Sequence, residues 1–213
     1  MNFIRNRAVL LNFLFITAFI ALIVFCYFYV DRPIVYFFEN LPVSSFMHKT
    51  IRFINGMGLG WIYLVGLPIA SFVSLKILHK PKIARVFMFL WLCALFSGLC
   101  CDILKILLSR ARPEELIAFN NYGFLFGPTF DSYYWSFPSG HTTIIASVMV
   151  GLSYVKPRYT SVFILIALII SSMRIILFQH YISDVIAGFY LSFICVNLLY
   201  AFYLKKSYTL PVY

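Results

Sequence analysis

The sequence predicts an all-α fold: a polytopic membrane protein built as a six-transmembrane-helix bundle with a short interfacial helix. Three observations predict it. The 213 residues are 62% hydrophobic and 11% charged, where a soluble domain is usually about 45–50% apolar and about 25% charged. The mean hydropathy is +0.92. The apolar residues gather into runs near the roughly 20 residues that a helix needs to cross a bilayer. No Gly/Ser-rich linker or internal repeat divides the chain, so residues 1–213 are expected to form one domain.

The first span is expected at 8–30. Arg5 and Arg7 precede it, as they would a signal peptide, but a signal core is about 7–15 residues and ends at a small-residue cleavage site. This run ends in Cys26-Tyr27-Phe28-Tyr29-Val30 and reads as a retained span. Residues 44–56 follow as an interfacial helix: Ser44 and Ser45 can cap it, Phe46, Met47, Ile51 and Ile54 share one face, and His48, Lys49, Arg52 and Asn55 lie opposite. The bland alternative there is a polar connector. Further spans are expected at 59–78, 84–108, 141–155, 160–179 and 184–204. The run 141–155 is short and hydroxyl-bearing at its start, which suits a helix shielded by its neighbours.

The five cysteines, Cys26, Cys93, Cys100, Cys101 and Cys195, all lie in apolar runs. They offer neither a disulfide framework nor a zinc spacing and read as buried small hydrophobes. A net charge of +10 would suggest a nucleic-acid partner in a soluble protein. Here the positive-inside rule accounts for most of it, and no nucleic acid is expected. With the N-terminus inside, the inner face holds Arg5, Arg7, Lys76, Lys80, Lys82, Arg85, Lys156, Arg158, Lys205 and Lys206. The outer face holds Arg32, Lys49, Arg52, Lys105, Arg110, Arg112 and Arg174. Both termini are therefore expected in the cytoplasm.

Three of the outer cations belong to a polar set that a membrane protein would not keep without a use, since ionisable groups at membrane depth are expensive. Lys105 and Arg112 are two helical turns apart on one face, and Pro113 marks the helix end. They can clamp a phosphate or merely snorkel to the interface. Pro138-Ser139-Gly140-His141 opens an apolar run. Ser139 or Thr142 can cap that helix, Gly140 admits a close backbone approach, and helix-start N–H groups favour a phosphate. Arg174, His180 and Asp184 complete the set. A carboxylate one turn from His180 can hold the ring in the tautomer that frees its other nitrogen for attack, or can simply satisfy a structural hydrogen bond. On the expected topology all three pieces fall on the outer side.

Lys105-x6-Arg112-Pro113, Pro138-Ser139-Gly140-His141 and Arg174-x5-His180-x3-Asp184, in this order, resemble the three-part signature of the type-2 phosphatidic acid phosphatase superfamily, the membrane lipid phosphate phosphatases whose site is shared with vanadium haloperoxidases. One departure is visible: the family usually has Ser directly before the arginine of the third piece, and here the order is Ser172-Met173-Arg174. The resemblance implies that Lys105, Arg112 and Arg174 hold the phosphate oxygens with Ser139 and the Gly140 backbone. It implies that His180 attacks phosphorus, Asp184 orients it, and His141 protonates the leaving oxygen and later activates water. No metal or other cofactor is implied, because the cations neutralise the phosphoryl charge. The segment 114–137, with Glu114, Glu115, Asp131, Tyr133, Tyr134 and Trp135, either shapes the approach of the head group or forms an aromatic belt.

The expected activity is hydrolysis of a phosphomonoester or pyrophosphate on a membrane lipid at the outer, periplasmic face of a bacterial inner membrane. A lipid phosphotransferase using the same phosphohistidine is the alternative, and a non-catalytic transporter or assembly protein is the third. Undecaprenyl pyrophosphate, phosphatidylglycerol phosphate, phosphatidic acid and lipid A remain open as substrates.

Overall fold

In the computed structural model the described residues are 2–42 and 44–205, those at 2–13, 15 and 203–205 by backbone alone. The expected inner charges Arg5, Arg7, Lys205 and Lys206 thus lie outside the described side chains. Helix α1 (Asn2–Tyr29) contains the first expected span and bends by 50° into α2 (Asp31–Glu39). The sequence reading places no element at α2, which begins Asp31-Arg32-Pro33. Proline is tolerated in a first helical turn, however, and an acid there favours the helix dipole.

Helix α3 (Ser45–Gly56) is the expected amphipathic helix. The Ser44 hydroxyl accepts the Met47 N–H at 3.2 Å, Phe46 and Phe53 are exposed, and Ile51 is buried. It meets α4 (Gly60–Lys76) at 45°. Helix α5 (Pro81–Leu108) starts three residues before the expected 84, with Pro81 in the first turn. It stops at Ser109, which is left-handed (φ +47°) and donates its N–H to the Lys105 carbonyl. A second helix absent from the sequence reading is α6 (Pro113–Phe119), about two turns that begin at Pro113. After an irregular stretch come α7 (Gly140–Val155), α8 (Thr160–Ile176) and α9 (Ile182–Lys205). Helix α8 ends three residues short of the expected 179, because Phe178 turns left-handed (φ +57°) and carries the chain out of the helix.

Among the described residues, three segments are long and apolar enough to cross a bilayer singly: Pro81–Leu108, Pro157–Ile176 and Ile182–Phe202. Ile16–Tyr29 with α2, and α3 with α4, meet the same measure as bent pairs, and Gly140–Val155 is shorter. Helix α7 is enclosed by α4, α5, α8 and α9. Phe89, Leu90 and Cys93 of α5, Val155 of α7 and Val196 of α9 form one core cluster, and Ile145, Ala167 and Ile170 form another between α7 and α8. Between helices in lipid the attraction is van der Waals packing and hydrogen bonding, so small residues allow close approach. Gly188 of α9 is the clearest case: a Cβ there would stand 2.9 Å from the Ser139 carbonyl oxygen and 3.1 Å from the Thr142 Cβ. This contact presses the start of α7 against α9. The ends of α5 and α8 and the starts of α7 and α9 consequently meet at one end of the bundle.

Candidate active site

The eight residues singled out in the sequence converge at that end. Lys105, in the last turn of α5, lies over the first residue of α7. A Cβ on Gly140 would be 2.8 Å from the lysine Nζ, so glycine leaves the room the lysine occupies. The Ser139 N–H donates to the Asp184 carbonyl at 3.1 Å, tying the start of α7 to α9. Ser139 occupies the N-cap position, but its hydroxyl takes the Thr142 hydroxyl (3.0 Å) rather than a helix N–H. Arg112 precedes α6, anchored through its N–H to the Tyr133 carbonyl at 3.0 Å. Arg174, in the last turn of α8, donates to Asn55 Oδ1 of α3 at 3.3 Å. The charges of Lys105, Arg112 and Arg174 all act on both His141 and His180. Arg112 Nε, Arg174 Nε and His141 Nε2 are buried without a protein partner.

His180 is 2% exposed and lies in the turn before α9, outside the helix. Burial, reinforced by Arg174, Lys105 and Arg112, pushes its imidazole well below the usual histidine range. Its Nδ1 sits 2.7 Å from the Ser136 carbonyl oxygen. A carbonyl can only accept, so Nδ1 carries the proton and Nε2 the lone pair.

The Asp184 carboxylate is 3.7 Å from Nδ1, beyond a hydrogen bond. This corrects the expected helical-turn pairing of His180 and Asp184. The carboxylate is engaged elsewhere: Oδ2 accepts the Ser136 hydroxyl (2.6 Å) and the Tyr181 N–H (2.8 Å), and Oδ1 accepts Arg110 Nη1.

Arg110 is the residue that sequence reasoning misplaced. The charge count places it among the outer-face topology signals, yet it is fully buried. Its Nη1 also donates to the Ser183 hydroxyl (2.7 Å), and its Nη2 donates to Asp31 Oδ2 (2.8 Å) at the start of α2. Tyr181 lies under the guanidinium at 4.2 Å from the ring centroid, and Tyr27 at 4.9 Å. A buried arginine needs carboxylates. Asp31, an acid directly behind an apolar span, was the sequence signal for that partner.

The departure at Ser172-Met173-Arg174 also has a structural reading. Ser172 donates to the Ile169 carbonyl of its own helix at 2.8 Å and takes no part in the cluster. From the segment 114–137, Trp135 Nε1 donates to the Thr129 carbonyl (2.8 Å) and Asn121 to the Tyr134 hydroxyl (2.9 Å), and the loop thereby delivers Ser136 to His180. All five cysteines are free, and Cys101 Sγ donates to the Pro138 carbonyl at 3.5 Å.

Fold and cluster together define a polytopic helical membrane protein with a cationic, two-histidine site at one end of its bundle. Residues 86–208, more than half of the chain, match the family model described as the PAP2 superfamily, and the chain belongs to that superfamily. Two proteins named Lipid A 1-phosphatase, from Rhizobium johnstonii and Rhizobium etli, are 39% and 36% identical to it over 102 residues, 47% of this chain. The match covers 41% and 43% of their lengths, so the chain spans less than half of the curated relatives it matches. Among solved structures, LpxE of Aquifex aeolicus aligns with a TM-score of 0.58 at 21% identity over 81% of this chain and 95% of that one. The first transmembrane PAP2-type phosphatidylglycerolphosphate phosphatase from Bacillus subtilis aligns at 0.62 and 19% identity, over 89% and 94%. These two likenesses show the fold.

Proposed function

We propose that this chain hydrolyses a phosphate ester of a membrane lipid through a phosphohistidine on His180. The observation that carries this reading is the Ser136 carbonyl on His180 Nδ1. It leaves Nε2 as an unprotonated nucleophile near three cations, two of which, Arg112 and Arg174, keep a buried Nε with no protein partner. Lys105, Arg112 and Arg174 hold the phosphate oxygens, with Ser139 and the start of α7 beside them, and stabilise the charge of the transferring group. Nε2 bonds to phosphorus as the P–O bond to the lipid breaks, and His141 gives its proton to the leaving oxygen. His141 then takes a proton from water, the water oxygen bonds to phosphorus, and the P–N bond breaks to release phosphate. The positive charge gained by the His180 ring is met by the Ser136 carbonyl and the nearby Asp184.

The names of the Rhizobium relatives favour lipid A among the candidate substrates, and the site is assigned to the periplasmic face with both termini cytoplasmic. Support for the sidedness comes from the bundle: Lys80 and Lys82 at the start of α5, and Lys156 and Arg158 between α7 and α8, lie at the end opposite the site.

Phosphate release by the purified protein from undecaprenyl pyrophosphate, phosphatidylglycerol phosphate, phosphatidic acid and lipid A 1-phosphate tests this, with His180→Ala as the control. Activity should survive EDTA, and alkaline quench with labelled lipid should trap label on the protein. Release that appears only when an acceptor lipid is added identifies a phosphotransferase instead. A cysteine placed at Asn121 should react with impermeant maleimide from outside, and one at Arg158 should not.

A further inference from the structure

A cavity of about 680 Å³ opens beside the phosphate clamp. Its walls come from the end of α2, the polar face of α3, the α3–α4 junction, the start of α6 and the turn after α8. Three links join it to the chemistry. Asn55 lines the cavity and holds Arg174. Glu114 lines it, and its charge acts on both Arg112 and Arg174. Gln179 lines it and immediately precedes His180.

The direction of the reaction places the leaving group there. In-line displacement sends the departing oxygen away from the nucleophile. His180 stands on the inner wall, backed by Ser136 and Asp184. His141, the acid that must reach the departing oxygen, lies against the α3–α4 junction: a Cβ on Gly58 would be 3.5 Å from His141 Cδ2. Gly56 and Leu59 of the same junction line the cavity. Acid and cavity therefore share a side.

We infer that this cavity receives a polyhydroxylated head group, the leaving-group half of the substrate, and that Glu39, Arg52 and Gln179 select it; this rests on the phosphatase reading above. Its volume lies within the range of small-molecule sites, about 300–1,000 Å³, far beyond the needs of a lone phosphate. Its polar groups are of mixed sign: Glu39 and Glu114 accept, Arg52 donates, and His48, Gln179 and Asn55 do both. A second bare phosphate would face the two carboxylates. A diacylglycerol or polyprenol leaving group would cover these charges without pairing them, which is costly. The hydroxyls of a sugar-type ring answer both donors and acceptors, and its C–H faces can pack on Phe38 and Phe178 of the same wall.

The test measures kcat/KM for a glycosyl lipid 1-phosphate, a phosphoinositide and phosphatidic acid with the full chain, its Arg52→Ala and Glu39→Ala variants, and Gly56→Phe. A Cβ at Gly56 meets nothing within 4 Å, so a larger side chain there starts into open space on the cavity wall. The ratio of glycosyl lipid to phosphatidic acid should fall about tenfold in each variant, the loss expected when one hydrogen-bonding site is removed or blocked. Loss confined to the phosphoinositide arm supports a cyclitol rather than a sugar as the polyhydroxylated ring. Ratios unchanged in all three variants overturn the head-group assignment while leaving the phosphatase reading intact. Wild-type protein that releases no more phosphate than His180→Ala from any of the lipids overturns the phosphatase reading, and this inference with it.

Discussion

The backbone carbonyl of Ser136 lies 2.7 Å from Nδ1 of His180, closer than any carboxylate. The ring is thus oriented by a main-chain group, and the Ser136 side chain acts separately, on Asp184 at 2.6 Å. Ser136→Ala keeps the first contact and loses the second. It should lower kcat by less than about tenfold, the worth of one hydrogen bond, where His180→Ala abolishes turnover. Initial rates on one lipid phosphate compare the two; equal loss would refute main-chain control of the ring.

His141 has a different signature. Removing a general acid costs about 10²–10⁴-fold when the leaving oxygen needs a proton. His141→Gln should show that loss on a lipid phosphate and a much smaller one on p-nitrophenyl phosphate, whose phenolate leaves unaided. His180→Ala should lose both activities. A His141→Gln enzyme equally impaired on the two substrates would remove the acid role.

The acid limb of activity follows from the sign of the His180 shift. Burial and the neighbouring cations hold its pKa well below the usual value, so His180, the nucleophile of the proposed mechanism, stays neutral as pH falls through the ordinary histidine range and is lost only below it. Replacing Arg174 or Lys105 with Gln removes a repelling charge, and the limb of kcat/KM assigned to the enzyme should move to higher pH. The limb contributed by the substrate phosphate is common to all variants and provides the internal reference.

Arg110 should behave as a structural keystone with a kinetic consequence. Its two Nη atoms bridge Asp31 and Asp184 inside the protein, a fork that lysine cannot reproduce. Leaving a buried carboxylate unpaired costs about 3–5 kcal/mol. Arg110→Lys should therefore melt well below the wild type in detergent, and Asp31→Asn should melt less far below it, because Asn still accepts from Ser183. An Arg110→Lys protein with wild-type melting would show that the bridge is dispensable.

Two glycines separate function from packing. At Gly140 the neighbour of an added Cβ is the tip of a flexible lysine, and at Gly188 it is the Ser139 backbone. Gly140→Ala should fold normally and lose about tenfold in kcat/KM through the displaced Lys105 charge. Gly188→Ala should lose thermal stability first. Melting curves and rates measured on both variants distinguish the two outcomes.

The long apolar runs and the three polar pieces were legible because each is a local pattern: hydropathy length for α5, α8 and α9, and residue order for the lysine, arginines and histidines. Helix α2 was not, because Asp31-Arg32-Pro33 carries loop chemistry and becomes helical through burial of Asp31 against Arg110 and Ser183. The hold on His180 was not legible either. It comes from a carbonyl, which every residue possesses, delivered by an irregular loop 44 residues away in sequence. Asp184 was legible as part of the site, but the loop and Arg110 determine what its oxygens bind.

The contact of Gly188 with Ser139 fixes the side of the site that carries His180, while the opposite wall is assembled from the polar face of α3 and helix ends. Mutations on that outer wall can drift without disturbing the orientation of His180. On the proposed function, a lineage built on this plan can exchange one lipid for another by altering a rim while its reaction is inherited unchanged.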